Sequence, residues 1–143
     1  MIPIQDALPP RSTPWVTWTI AAVNALVFFY GQLRGPDVQA ALLLDHAVTP
    51  VAFSWLDAVS SVFLHQGYTH LALNLVALLV CGENVEDRFG HAPFACLYAA
   101  AGVAAVTIAT WISPTSIGLL VGTGGAIGAV LGAHLALFPH GRV

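Results

Sequence analysis

Lysine is absent from this chain, and Asp, Glu and Arg are missing from three long stretches: between Arg11 and Arg34, between Asp57 and Glu83, and between Arg88 and Arg142. The net charge is −3 and no basic cluster exists, so the electrostatic footprint of a nucleic-acid partner is missing. Only 8% of residues are charged and 57% are hydrophobic, with a mean hydropathy of +0.80. Soluble domains carry about a quarter charged residues, so water is not the main solvent here. The strand-like alternation that a transmembrane barrel requires is also missing. Cysteine is scarce: Cys81 and Cys96 fall near span ends expected on the cytoplasmic side, where thiols stay reduced, and read as small buried hydrophobes. No small-residue cleavage site accompanies the first apolar stretch, which begins after Pro14, so the N-terminus is expected to be retained.

What is present fills those gaps. A spanning helix needs roughly 20 apolar residues for a hydrocarbon core about 30 Å thick, and backbone polar groups in lipid must pair internally. The expectation is a single all-α membrane domain over residues 1–143, a polytopic bundle of about four transmembrane helices at 14–33, 68–82, 92–112 and 119–138. A turn at Ser113-Pro114-Thr115-Ser116 separates the last two, and Pro139 and Gly141 stop the fourth. Met1 to Thr13 reads as a proline-rich tail. Trp15, Trp18 and Tyr30 lie near the two ends of the first span, where amphipathic rings favour the headgroup zone. The connector 35–66 is too apolar for a solvated loop and too interrupted to span, which suits an interfacial segment or one packed on the bundle. With the N-terminus inside, Arg11, Arg88 and Arg142 are cytoplasmic and Arg34 is outside, as the positive-inside tendency favours. The expected location is a bacterial-type plasma membrane, with the N-terminus cytoplasmic.

In the fourth span, Gly124, Gly128 and Gly132 recur every fourth residue, with Gly125 beside them. Glycines at that spacing let membrane helices approach backbone to backbone, so Gly125, Gly128 and Gly132 are expected to serve helix packing. In the second span, His70 and Asn74 stand at i and i+4, one turn apart on one helix face. Polar side chains at such depth are costly and either line a functional cavity or bond a neighbouring helix. His65 lies close by, but no further ligand stands at helical spacing to complete a zinc set, so no metal is expected. His134 and His140 read as interface residues, and His46 and His91 as loop residues.

Two local sequences together resemble the rhomboid intramembrane serine proteases. The first is Phe63-Leu64-His65-Gln66-Gly67-Tyr68-Thr69-His70-Leu71-Ala72-Leu73-Asn74, followed by Gly-Glu-Asn-Val-Glu-Asp-Arg-Phe-Gly at Gly82 to Gly90. The second, Val121-Gly122-Thr123-Gly124-Gly125-Ala126-Ile127-Gly128, is similar to the family's Gly-x-Ser-Gly motif. The resemblance runs from Ile2-Pro3 onward. It implies a serine nucleophile at the top of the fourth helix, a histidine base on the sixth, an oxyanion-type pair at His70 and Asn74, and no cofactor.

This chain departs from that pattern. Gly124 occupies the nucleophile position, the Trp-Arg pair of the first loop appears as Leu56-Asp57, and the sequence stops after the fourth span, so an incomplete bundle lacking the last two helices is expected. Thr123 points about 100° away from the vacant position, and His134 lies some 15 Å of rise further along the helix, so neither replaces the catalytic pair. The function implied is that of a rhomboid-family serine endopeptidase in sequence, truncated and catalytically inactive. The alternatives are a non-catalytic relative that binds transmembrane helices of client proteins, and a half-bundle that needs a complementing chain. Exposed small-residue faces would also permit self-association. Beyond these the only partner expected is the lipid bilayer.

Overall fold

The structure, a computed structural model, describes residues 12–139; the tail up to Arg11, and His140 to Val143, fall outside the described residues. Among the described residues the architecture is all-helical, with one isolated antiparallel bridge between Val48 and Leu120. Helix α1 (Trp15–Arg34) is followed by α2 (Pro36–His46) and, after a short 3-10 turn, by α3 (Trp55–Ser60). A second 3-10 turn leads into α4 (Tyr68–Ala77), a π turn (Leu78–Gly82) and α5 (Glu83–Phe89), which together form one continuous helix. Helices α6 (His91–Ile112) and α7 (Thr123–Leu137) complete the described bundle.

Three of these helices, Trp15–Arg34, Tyr68–Phe89 and His91–Ile112, are long and apolar enough to cross a membrane, while α7 is a shorter apolar helix of 15 residues. The second runs past Gly82, where the apolar pattern stops, because its acidic residues find donors on α1 and the residues just before it. Trp18 Nε1 donates to Glu83 Oε1 (2.8 Å), the Ser12 backbone N–H donates to Asp87 Oδ1 (2.8 Å), and the Val16 and Thr17 N–H groups donate to the two oxygens of Glu86 (2.9 and 2.7 Å). The last helix begins at Thr123 rather than Leu119. Leu120 exchanges two backbone hydrogen bonds with Val48 (3.0 and 2.8 Å), and the Gly122 N–H donates to the Ser61 carbonyl (3.0 Å), so the residues before Thr123 are held extended against the connector.

The connector is itself largely helical. Gly35 adopts φ +111°, a conformation open to glycine, which reverses the chain so that α2 lies back on α1. No residue of α2 is buried and only Ala58 of α3 is, leaving Leu44, Val51, Trp55, Leu56 and Val59 exposed. A second positive-φ glycine, Gly90 (φ +86°), makes the sharp turn between α5 and α6.

The core joins α1, the 68–89 helix, α6 and α7 through Ile20, Leu78, Val85, Phe94, Tyr98, Ala126, Ile127 and Val130. Inside it, Asn24 donates to the Tyr98 hydroxyl at 3.1 Å, a polar tie between α1 and α6. The closest approach is between α6 and α7. A Cβ at Gly102 would lie 2.7 Å from Val62 Cγ2 and 3.1 Å from the Gly122 carbonyl, and one at Gly125 would overlap the Ala105 methyl. The every-fourth-residue stripe is not the packed one, however. At Gly124, Gly128 and Gly132 an added Cβ meets nothing within 4 Å among the described residues. Gly125→Ala is therefore expected to cost about 1–3 kcal/mol by overpacking. Gly128→Ala and Gly132→Ala are expected to be neutral or to stabilise by about 0.5–1 kcal/mol, through helix propensity alone. Unfolding titrations in mixed micelles check this; equal effects at Gly125 and Gly128 would refute the assignment of the seam.

Candidate functional site

The polar residues cluster where the chain enters α4 and α7. Gly67, in extended backbone (φ −175°), precedes Tyr68, and α4 then places His70 and Asn74 on one face. Asn74 is buried and its Nδ2 donor has no hydrogen-bond partner among the described residues; His70 is half-buried. His65, on the turn before α4, is 2% exposed, and its ring lies 5.3 Å from that of His70 at an interplanar angle of 59°. Among the described residues neither ring nitrogen of His65 has a well-formed hydrogen bond, with the Phe63 backbone as its polar neighbour.

Burial, and secondarily the neighbouring His70, push the His65 pKa down to about 4. The unfolded chain therefore binds the proton that the folded one refuses. The resulting stability is fully present above pH 6.5 and is lost progressively as pH falls toward 4, with a slope of up to about 1.4 kcal/mol per unit. Denaturation measured at pH 7 and pH 5 should show this loss, and His65→Phe should remove it. A His65→Phe variant as acid-sensitive as the parent would show that the slope arises elsewhere.

The start of α7 is tied to the same turn. Thr123 is fully buried, and its hydroxyl lies 3.0 Å from the Val62 carbonyl and 2.8 Å from that of Leu64. Its proton is thus engaged by backbone acceptors, a stronger reason than helix angle for excluding Thr123 as a nucleophile. Gly124 follows, exposed and facing open space. Helices α4 and α7 are in contact, so the His70 and Asn74 helix and the Gly124 helix are neighbours.

The other histidines stand apart. His134 stacks on Phe138 (5.0 Å between rings), and Phe138 in turn lies under the Arg88 guanidinium (5.3 Å). His91, expected in a loop, opens α6 and contacts Glu86. Among the described residues no group of three His, Cys, Asp or Glu side chains is placed to hold a metal ion. Cys81 and Cys96 are free thiols, half-buried and exposed. Two residues of consequence carried no signal in the apolar pattern: Glu86, buried beneath the start of α1, and Gln39 of α2, whose Nε2 donates to the His65 carbonyl at 3.2 Å. Their partners are 69 and 26 residues distant, beyond the reach of local spacing.

Chemically, the cluster offers the buried, unpartnered Asn74 amide donor beside the half-buried His70 ring, which suits the polarisation of a carbonyl oxygen. At Gly124 it offers backbone only.

Relatives place these features in context. The rhomboid domain family matches residues 52–143. Rhomboid protein 1, mitochondrial, of Saccharomyces cerevisiae is 30% identical over 136 residues, covering 90% of this chain and 38% of its own length. Rhomboid protease GluP of Bacillus subtilis is 29% identical over 135 residues, covering 92% and 26%, and human Rhomboid-related protein 3 is 36% identical over 135 residues, covering 86% and 32%. The chain thus spans well under half the length of these relatives. No solved structure matches it. With a family match over most of its length and an apolar bundle carrying the histidine, asparagine and glycine motifs in order, the chain belongs to the rhomboid family of membrane proteins.

Proposed function

We propose that this chain is a rhomboid relative that does not hydrolyse peptide bonds, with His70 and Asn74 as an oxyanion-type pair that has no nucleophile to serve. One observation carries this: the position equivalent to the motif serine is Gly124, exposed and without a side chain. Acyl transfer begins with attack by a hydroxyl or thiol, and backbone cannot supply one. The test is a cleavage assay on the purified chain in liposomes with a fluorogenic transmembrane substrate. No product above the substrate-only background is expected; product formation sensitive to a serine-directed inhibitor would refute it.

The unpartnered Asn74 donor favours a second function for the same pair, holding a carbonyl of a client transmembrane segment without cutting it. Photocrosslinking from α4 in membranes should then give a discrete adduct that disappears in His70→Leu and Asn74→Leu. An adduct pattern indifferent to both substitutions would argue against client binding.

A further inference from the structure

The turn carrying His65 is tied to remote elements by side-chain hydrogen bonds. Thr123 of α7 reaches the Val62 and Leu64 carbonyls, and Gln66 Nε2 reaches the Leu119 carbonyl across the surface (3.4 Å). The remaining tie comes from α2, where Gln39 Nε2 donates to the His65 carbonyl at 3.2 Å. Gln39 has little freedom to do anything else. Its amide lies against the backbone of α1 at Gly31, where an added Cβ would overlap Oε1 and would also come within 3.1 Å of Leu42 Cδ1. Ordering a long amide side chain costs rotamer entropy, which the seat at Gly31 limits to one outlet.

Among the described residues neither His65 ring nitrogen makes a well-formed hydrogen bond, and the Phe63 backbone is the polar group that acts on the ring. Its orientation therefore follows its own backbone, the adjacent Phe63 backbone and packing on His70. Among the described residues, the hydrogen bond from the Gln39 side chain to the His65 carbonyl is the tie from α2 that acts directly on that residue.

We propose that Gln39 is a positioning residue of this site: seated on Gly31 and donating to the His65 carbonyl, it sets the His65 ring against His70 and so fixes the face His70 presents beside Asn74. The significance of that face rests on the oxyanion-type role proposed above. The geometric claim itself is tested separately from it.

The test uses the full chain in lipid nanodiscs with isotope-labelled histidine, the His65 and His70 ring resonances being assigned from His65→Gln and His70→Gln. Two variants act on the same hydrogen bond by different routes. Gln39→Met removes the donor at nearly constant volume, and Gly31→Ala displaces the amide without removing it. Both are expected to shift the His65 and His70 ring signals, leaving those of His91 and His134 at the far end of the bundle in place. A general loss of stability would not select two histidines in this way. Folded Gln39→Met with His65 and His70 signals at their parental positions would overturn the proposal, as would unchanged signals in Gly31→Ala should Gln39→Met fail to fold. Peptide cleavage by the unmodified chain would sink the non-hydrolytic function and leave these shifts untouched, so the two failures are distinguishable.

Discussion

Gly124→Ser, introduced alone into this 143-residue chain, is expected to fold as the parent does, to remain unlabelled by a fluorophosphonate probe and to leave a transmembrane substrate uncut. The fold should survive because nothing lies within 4 Å of a Cβ at this position, so the new side chain enters open space. Chemistry should still fail because a serine hydroxyl is a weak nucleophile until a base takes its proton. In the family that this chain resembles, the base is a histidine on a sixth helix, and the described residues carry no counterpart of it. The nearest hydroxyl, Thr123, is spent on the Val62 and Leu64 carbonyls. Losing either member of such a pair costs on the order of a millionfold in turnover, so restoring one of the two should recover almost none of it. Labelling of Gly124→Ser would show that a base is supplied, by His70 or by another chain. Repeating the experiment in Gly124→Ser/His70→Gln separates those sources: labelling lost with His70 names it, and labelling retained points to a second polypeptide.

Glu86→Leu is the substitution expected to damage the fold most. Helix α1 follows Pro14, which offers no side-chain cap, so its first N–H groups need acceptors from elsewhere. Glu86 is fully buried and gives one carboxylate oxygen to the Val16 N–H and the other to the Thr17 N–H. A carboxylate at a helix N-terminus also meets the favourable end of the helix dipole. Leucine would leave the buried Thr17 donor without an acceptor, at about 1–3 kcal/mol, and the part-buried Val16 donor at less. Glu86→Gln keeps an acceptor oxygen and should lie between leucine and the parent. His91 contacts the same carboxylate, but its side chain is 48% exposed, so His91→Ala should cost less than about 1 kcal/mol. Unfolding in mixed micelles orders the three variants; Glu86→Leu no worse than His91→Ala would mean that the donors find water instead.

The parts of the molecule that were legible in advance are those where a local rule has no competitor. A stretch without charge has one stable form in hydrocarbon, so α1 and α6 run over almost the same residues as the apolar pattern implies. Local rules misjudge the ends that have a distant partner. Glu83, Glu86 and Asp87 look like a solvated flank until the start of α1 is beside them, and Leu119 to Val121 look helical until Val48 takes the Leu120 hydrogen bonds. The glycines of α7 illustrate the same limit. Their spacing shows that a bare face exists, but only the position of α6 shows that Gly125 is pressed and Gly128 is not.

The amino-acid sequence alone determined the apolar solvent, the helical character and the absence of a side chain at Gly124, because hydropathy, backbone pairing in lipid and side-chain identity are properties of residues. The tertiary structure alone decided that Thr123 is tied to the Leu64 carbonyl, that Glu86 caps α1 and that Gln39 holds the histidine turn. A hydrogen bond between residues far apart along the chain exists only once packing has brought donor and acceptor to within about 3 Å and has excluded the water that would otherwise satisfy both.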